Sequence, residues 1–335
     1  MSDRKTFNVL SIDGGGIRGI IPAMVLAEIE SETGRRICEL FDLIAGTSTG
    51  GILALGLSMN GSGDRQNQYS AEDLAKIYAN RGKDIFSRSV WKGVSSVGGL
   101  SDEKYSHEGL EDVLNEYFGE VLLHQTHQTT RTMVTCYDIE AREPLFLKSW
   151  RAQHRSIKMK EAARATSAAP TYFEPTQICI ESQLRTLIDG GIFINTPVVS
   201  AYAEARRIIA EEENFQHLKE SNIFVVSIGT GKLTRRIPYE EARDWGKVEW
   251  ILPGFSCIFD GVSDAADYHM NRFVDMGNYI RLQAPLNKAD DDMDNASAGN
   301  IKNLRSVACN LIGSADFKSI IKRLNQLEVA TEPLN

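Results

Sequence analysis

Phe7-Asn8-Val9-Leu10-Ser11-Ile12-Asp13-Gly14-Gly15-Gly16-Ile17-Arg18-Gly19 sets an apolar run against a glycine loop, and residues 20–31 then continue with helical spacing. A short apolar run that ends in glycines and leads into a helix reads as a buried strand turning into a helix. Gly14, Gly16 and Gly19 also satisfy the GxGxxG spacing of a dinucleotide-binding turn. That fold requires an acidic residue at the carboxyl end of the second strand. Here the second strand spans residues 41–45, with Asp42 near its start and Gly46-Thr47-Ser48 at its end, so the requirement fails. Consecutive glycines aim several backbone N–H groups at one point near a helix N-terminus. Such a nest suits a phosphate, or equally the oxyanion of an acyl-transfer intermediate. A plainer role, tightening a strand–helix joint, is open to the same residues.

What stands beside the loop narrows the choice. Gly46-Thr47-Ser48-Thr49-Gly50 matches GxSxG at an expected strand-to-helix turn, with a helix following over residues 48–59. In that setting the serine takes a strained backbone conformation, and glycines on either side leave room for a strand and a helix packed close together. A glycine loop on the preceding strand–helix turn then puts oxyanion donors at the adjacent strand end. Farther along, Arg185-Thr186-Leu187-Ile188-Asp189-Gly190-Gly191 runs a short strand into an aspartate before two glycines. This places a carboxylate at the same edge of a sheet, although Asp-Gly is also a common turn dipeptide. Ser48 and Asp189 are therefore the candidate nucleophile and base.

Outward from these motifs, strands are expected at residues 131–137, 145–148, 186–188, 223–228 and 279–282. Helices are expected at 71–80, 107–117, 199–213, 260–274 and 317–327, and loops at 60–67 and 289–300. Strands alternating with helices indicate an α/β fold with a mostly parallel, covered sheet. No repeat or linker divides the chain. Residues 7–231 form the expected catalytic core, and residues 232–335 a helical part packed on the same domain.

The 335 residues carry 37 Lys+Arg against 45 Asp+Glu, a net charge of -8. This argues against a nucleic-acid polymer as partner and against adhesion to anionic lipid over the whole surface. The opening Ser2-Asp3-Arg4-Lys5 does not resemble a secretion signal, and no apolar run approaches membrane-spanning length. Five scattered cysteines without CxxC spacing read as reduced thiols, and neither a metal site nor a cofactor is expected. A cytoplasmic protein that visits a membrane transiently is the resulting expectation. Residues 86–100 (with Trp91, Val94, Arg88 and Lys92) and residues 250–259 (with Pro253 and Gly254) are expected as loops, either dipping into lipid or folded over the core.

Asp13 to Gly19, Gly46 to Gly50 and Asp189 to Gly191, in that order, resemble the DGGGxRG, GxSxG and D-G-[GA] motifs of the patatin-like phospholipases. Ala165-Thr166-Ser167-Ala168-Ala169-Pro170 with Tyr172-Phe173, and Ser227-Ile228-Gly229-Thr230-Gly231, resemble two further blocks of that family. The resemblance implies a three-layer α/β/α fold and calcium-independent release of fatty acids from phospholipids or related esters. It implies a Ser48–Asp189 dyad, oxyanion N–H groups from Gly14, Gly15 and Gly16, and an Arg18 that fixes the loop unless it makes a surface ion pair. Asp13 is expected to hold the turn. Some bacterial enzymes similar to this chain are antiphage effectors switched on by a cyclic dinucleotide. A cyclic dinucleotide activator and a role in antiviral defence accordingly stand among the expectations; a homo-oligomer stands beside them without a motif of its own.

Two rival readings are set against this one. An α/β-hydrolase triad would use Ser48, Asp189 and either His217 or His269, but its elbow normally comes later in the chain. A nucleotide-binding domain that had lost its chemistry would show a broken motif, whereas serine, aspartate and glycines are all present.

Overall fold

The computed structural model describes residues 5–61, 68–85, 107–247 and 249–326. The expected loop at residues 86–100 lies outside them, as does most of the one at 60–67. The strands are β1 (Phe7–Ile12), β2 (Leu43–Thr47), β3 (Arg131–Asp138), β4 (Glu143–Lys148), β5 (Thr176–Ile180), β6 (Gln183–Asp189), β7 (Ile223–Ile228) and β8 (Tyr279–Leu282). The helices are α1 (Ile20–Thr33), α2 (Ile37–Leu40), α3 (Thr49–Ser58), α4 (Ala71–Ile85), α5 (His107–Phe118) and α6 (Met159–Thr166). They continue with α7 (Val198–Glu211), α8 (Tyr239–Ala242), α9 (Ile251–Phe273), α10 (Ala298–Ile312) and α11 (Ala315–Asn325).

The strands form one eight-stranded sheet in the order β5-β6-β3-β2-β1-β7-β8, with β4 also paired to β3. The centre, β3-β2-β1-β7-β8, is parallel, and β4, β5 and β6 run antiparallel to their neighbours. Strand β1 is buried along its whole length. Its alternate residues serve opposite layers. Phe7 and Val9 pack with α7 and with Ala266 and Met270 of α9, whereas Leu10 and Ile12 join a core built on α1, α3, α4, α10 and α11. The result is the three-layer α/β/α architecture.

One pairing decides where the site forms. A strand has two edges, and β4 occupies one edge of β3 along Met133–Asp138. β2 and β6 must therefore share the other, β2 up to Thr47↔Thr135 and β6 from Cys136↔Asp189. Thr47 and Asp189 thus lie opposite consecutive residues of β3, about 3.3 Å apart along the strand. The residue after Thr47 is Ser48.

Three expectations change. Residues 250–259, expected as a loop, include the first two turns of α9, because Pro253 falls in the first turn where its missing N–H costs nothing. β5 was not foreseen; it forms a hairpin with β6 through Glu181 and Ser182, both at positive φ. α6 and α10 were also missed, and α10 begins inside the expected 289–300 loop, capped by the Ser297 side chain accepting from the Asn300 N–H.

Beyond Lys232 the chain returns to the motifs. Arg281 of β8 makes a two-pronged ion pair with Asp13 (Nη1 to Oδ1 3.0 Å, Nη2 to Oδ2 2.5 Å) and also donates to the Ser227 hydroxyl at 2.6 Å. The two side chains are 11% and 2% exposed, so either charge alone would be stranded. Arg281→Met should cost about 3 kcal/mol or more in urea unfolding, and adding Asp13→Asn should recover much of it. A loss below about 1 kcal/mol for Arg281→Met would show that the pair does not hold the loop.

Candidate active site

Ser48 sits at the β2–α3 turn with φ 54° and ψ −123°, a strained conformation for a non-glycine residue. Its neighbours explain how the strain is held. A Cβ on Gly46 would lie 2.1 Å from the Gly50 carbonyl oxygen, and one on Gly50 would lie 2.2 Å from that of Ile12. The Thr166 hydroxyl accepts from the Ser48 N–H at 2.9 Å and donates to the Thr135 carbonyl at 2.7 Å, tying the turn to β3. Thr166 belongs to the Ala165–Pro170 block, and the next residues also take part: the Ala168 carbonyl accepts from the Asp189 N–H at 3.0 Å.

Asp189 is buried at the end of β6, and its carboxylate accepts from the Gly191 N–H at 2.7 Å. The Ser48 hydroxyl lies beside that carboxylate and lowers its pKa, and no described histidine lines the cavities at the site. Asp189 thus both shapes the turn and meets the serine. His217 and His269 are exposed and line neither cavity at the site; His269 stacks on Phe273, ring centroids 5.8 Å apart.

The three glycines of the loop are not equivalent. The Gly14 N–H is already used, donating to the Asn195 carbonyl at 3.0 Å. The Gly15 and Gly16 N–H groups have no partner among the described residues. Gly14 nonetheless lies against the serine, since a Cβ there would be 3.4 Å from the Ser48 Cβ. Gly16 has φ +58° and would place a Cβ 2.2 Å from the Met293 carbonyl oxygen, which accepts from the Ile17 N–H at 2.8 Å. The Thr230 hydroxyl donates to the Gly14 carbonyl at 2.6 Å. Arg18 is buried rather than in a surface ion pair, and its Nε donates to the Gly15 carbonyl at 3.3 Å.

Two cavities meet at this point. A narrow one of ≈ 80 Å³ runs past Ser48 between apolar side chains, among them Ile17, Ile52, Ile85, Leu110 and Phe173. A larger crevice of ≈ 820 Å³, with many charged side chains in its wall, leads away from Asp189 and Asn195 towards Lys232, Arg235 and Asp260. Asn195, Phe259, Arg281 and Met293 were not foreseen at the site. Arg281, a charge within the apolar strand Tyr279–Leu282, was the one signal available.

A model of the patatin-like phospholipase family matches residues 10–202, which include Ser48, Asp189 and the whole glycine loop. The chain belongs to that family. The patatin-like protein 4 of Arabidopsis thaliana is 32% identical to it, over 97% of this chain and 87% of its own length. A patatin-like protein 2 of Oryza sativa subsp. indica is 29% identical over 99% and 90%. Likeness to patatin-like relatives thus continues through the part after Gly231. A potato relative 31% identical over 91% of this chain carries the name "Probable inactive patatin-3-Kuras 1". Among the described residues no group of three or more His, Cys, Asp or Glu is placed to hold a metal ion, and no helix is long and apolar enough to cross a membrane.

In this patatin-like site, burial pushes the Asp189 carboxyl up to about 7, against the lowering effect of the Ser48 hydroxyl and the Gly191 N–H. A carboxyl raised in the folded state keeps a proton that the unfolded chain has lost. Stability therefore falls as pH rises from about 4, the unfolded value, through about 7. Asn carries no such penalty. Asp189→Asn should be more stable than the parent at pH 8, on the order of 1–3 kcal/mol, with the gain fading towards pH 4. Thermal melts across that range test it; a variant less stable at every pH would contradict a buried, raised carboxyl.

Proposed function

We propose that the chain is a lipid acyl hydrolase that releases fatty acids from membrane phospholipids, with Ser48 as nucleophile and Asp189 as base. One observation carries the reading: the Ser48 hydroxyl meets a buried carboxylate directly, beside a glycine loop whose Gly15 and Gly16 N–H groups are uncommitted. As Ser48 Oγ attacks the ester carbonyl, its proton passes to Asp189, and the raised basicity of the carboxylate favours that transfer. Negative charge grows on the carbonyl oxygen, where backbone N–H groups of the loop stabilise it. Collapse breaks the ester C–O bond, and the Asp189 proton goes to the departing alcohol, leaving an acyl group on Ser48. Water, losing its proton to Asp189, then frees the fatty acid and restores the serine.

The apolar cavity suits an acyl chain, and the crevice beyond Asp189 suits the polar remainder of the lipid. Access from a bilayer is supported by exposed apolar side chains at the start of α9, Trp250, Ile251 and Ile258, next to Pro253 and Phe255 of the crevice wall. The cyclic dinucleotide expected from the bacterial resemblance is tested by adding such nucleotides to the same assay; strong activation of a low basal rate would support it.

Ser48→Ala and Asp189→Asn should each reduce phospholipid turnover by about 10³-fold or more, and the double variant should lose little beyond either. His217→Ala and His269→Ala should stay within about twofold of the parent. Because Asp189 must be ionised to take the proton, kcat/KM should rise with pH through about 7 and then level off. Large rate losses in either folded histidine variant would favour a triad.

A further inference from the structure

The crevice beyond Asp189 holds charges left unmatched. Arg18 lines it and is 6% exposed, yet among the described residues its guanidinium has no partner beyond the Nε bond to Gly15: Nη1 is shielded from solvent and unbonded, and Nη2 makes no hydrogen bond. A guanidinium stays charged at any working pH, so this is a desolvated cation with open donor positions. Asp260 and Asp291 are the strongest anionic influences on it, but neither comes close enough for an ion pair. Among the described residues Asp260 has no bonded partner, and Asp291 accepts from the Arg235 N–H through Oδ2 while its buried Oδ1 has no donor. Two other charged pairs of the same wall are matched, Lys232 with Asp264 at 3.0 Å and Arg281 with Asp13.

A cation and two carboxylates that line one crevice without pairing are complementary to a ligand that carries both signs in sequence. Leaving a buried guanidinium short of acceptors is costly, and a ligand that supplies an acceptor to it and a cation to the half-buried carboxylates removes the cost. Trp245, Phe255 and Phe259 also line the crevice, and aromatic faces next to carboxylates suit an ammonium group. The glycerol side of a scissile ester on Ser48 leads from Asp189 into this space.

We propose that the crevice holds the head group of a zwitterionic glycerophospholipid, its phosphodiester on Arg18 and its ammonium group at Asp260 and Asp291. The assignment rests on the hydrolase reading for the bond that is cut, but its recognition step is measurable without turnover.

The test uses the full chain carrying Ser48→Ala, with dihexanoyl phosphatidylcholine and dihexanoyl phosphatidylglycerol as monomeric probes in calorimetry. The phosphocholine lipid should bind about tenfold more tightly than the anionic one. Asp260→Asn with Asp291→Asn should bring the two affinities within about twofold, and Asp260→Lys alone should reverse the order. Asp260→Glu should keep the preference. Equal affinities for the two lipids, no binding of either, or a preference that survives both the double variant and Asp260→Lys would overturn the proposal. Ester turnover surviving in Ser48→Ala would instead count against the serine mechanism, leaving the binding ratios to decide the head-group assignment.

Discussion

The site exists because β3 has two edges and three partners. With β4 along one edge, β2 and β6 meet end to end on the other, one arriving parallel and one antiparallel. A strand end is where the ladder stops and a side chain can leave the sheet. Two strand ends meeting on one edge bring a hydroxyl and a carboxylate from opposite directions, 141 positions apart in the chain, without any loop having to reach. The strain at Ser48, the close approach of Gly46 and Gly50, and the Thr166 clamp all serve to keep β2 ending where β6 ends.

On the proposed reading, that arrangement also accounts for how Asp189 would act as base. A carboxylate buried with only a hydroxyl and one backbone N–H for company is poorly solvated, and its basicity rises accordingly. In a triad, imidazole has a suitable basicity already and the acid orients it. Here the aspartate acquires basicity through burial, so the same apolar packing that stabilises the sheet edge tunes the group at its end. The folded state bears the cost of that burial, as functional sites commonly do.

The motifs were legible because each is local and depends on glycine. Asp13 to Gly19 and Gly46 to Gly50 need glycine where backbones nearly touch, and so leave a pattern in the chain; strands β1, β2 and β7 are largely apolar runs of ordinary strand length. The antiparallel β5–β6 hairpin was half seen, because Gln183, Leu184 and Arg185 are exposed or only partly buried and interrupt the alternation. The start of α9 was misread because Pro253 and Gly254 signal a turn unless the proline lies in a first helical turn. The C-terminal contributions were least visible. Met293 acts through its carbonyl, which any residue has, and Arg281 matters only because folding sets it beside Asp13. Backbone roles and long-range charge pairs leave no local spacing to read.

The dependence of the glycine loop on residues so far downstream bears on how the protein is made. Ser48, Asp189 and the loop itself all lie in the part synthesised first, but the ion pair that neutralises Asp13 and the carbonyl that receives the Ile17 N–H arrive only with residues 281 and 293. Contacts of such long sequence separation are the last that loop-closure entropy allows to form. A nascent or truncated chain can therefore present its serine and aspartate while the loop between them and the substrate oxygen is still unbraced. If the chain cuts membrane phospholipids as proposed, completing it would double as a safety catch.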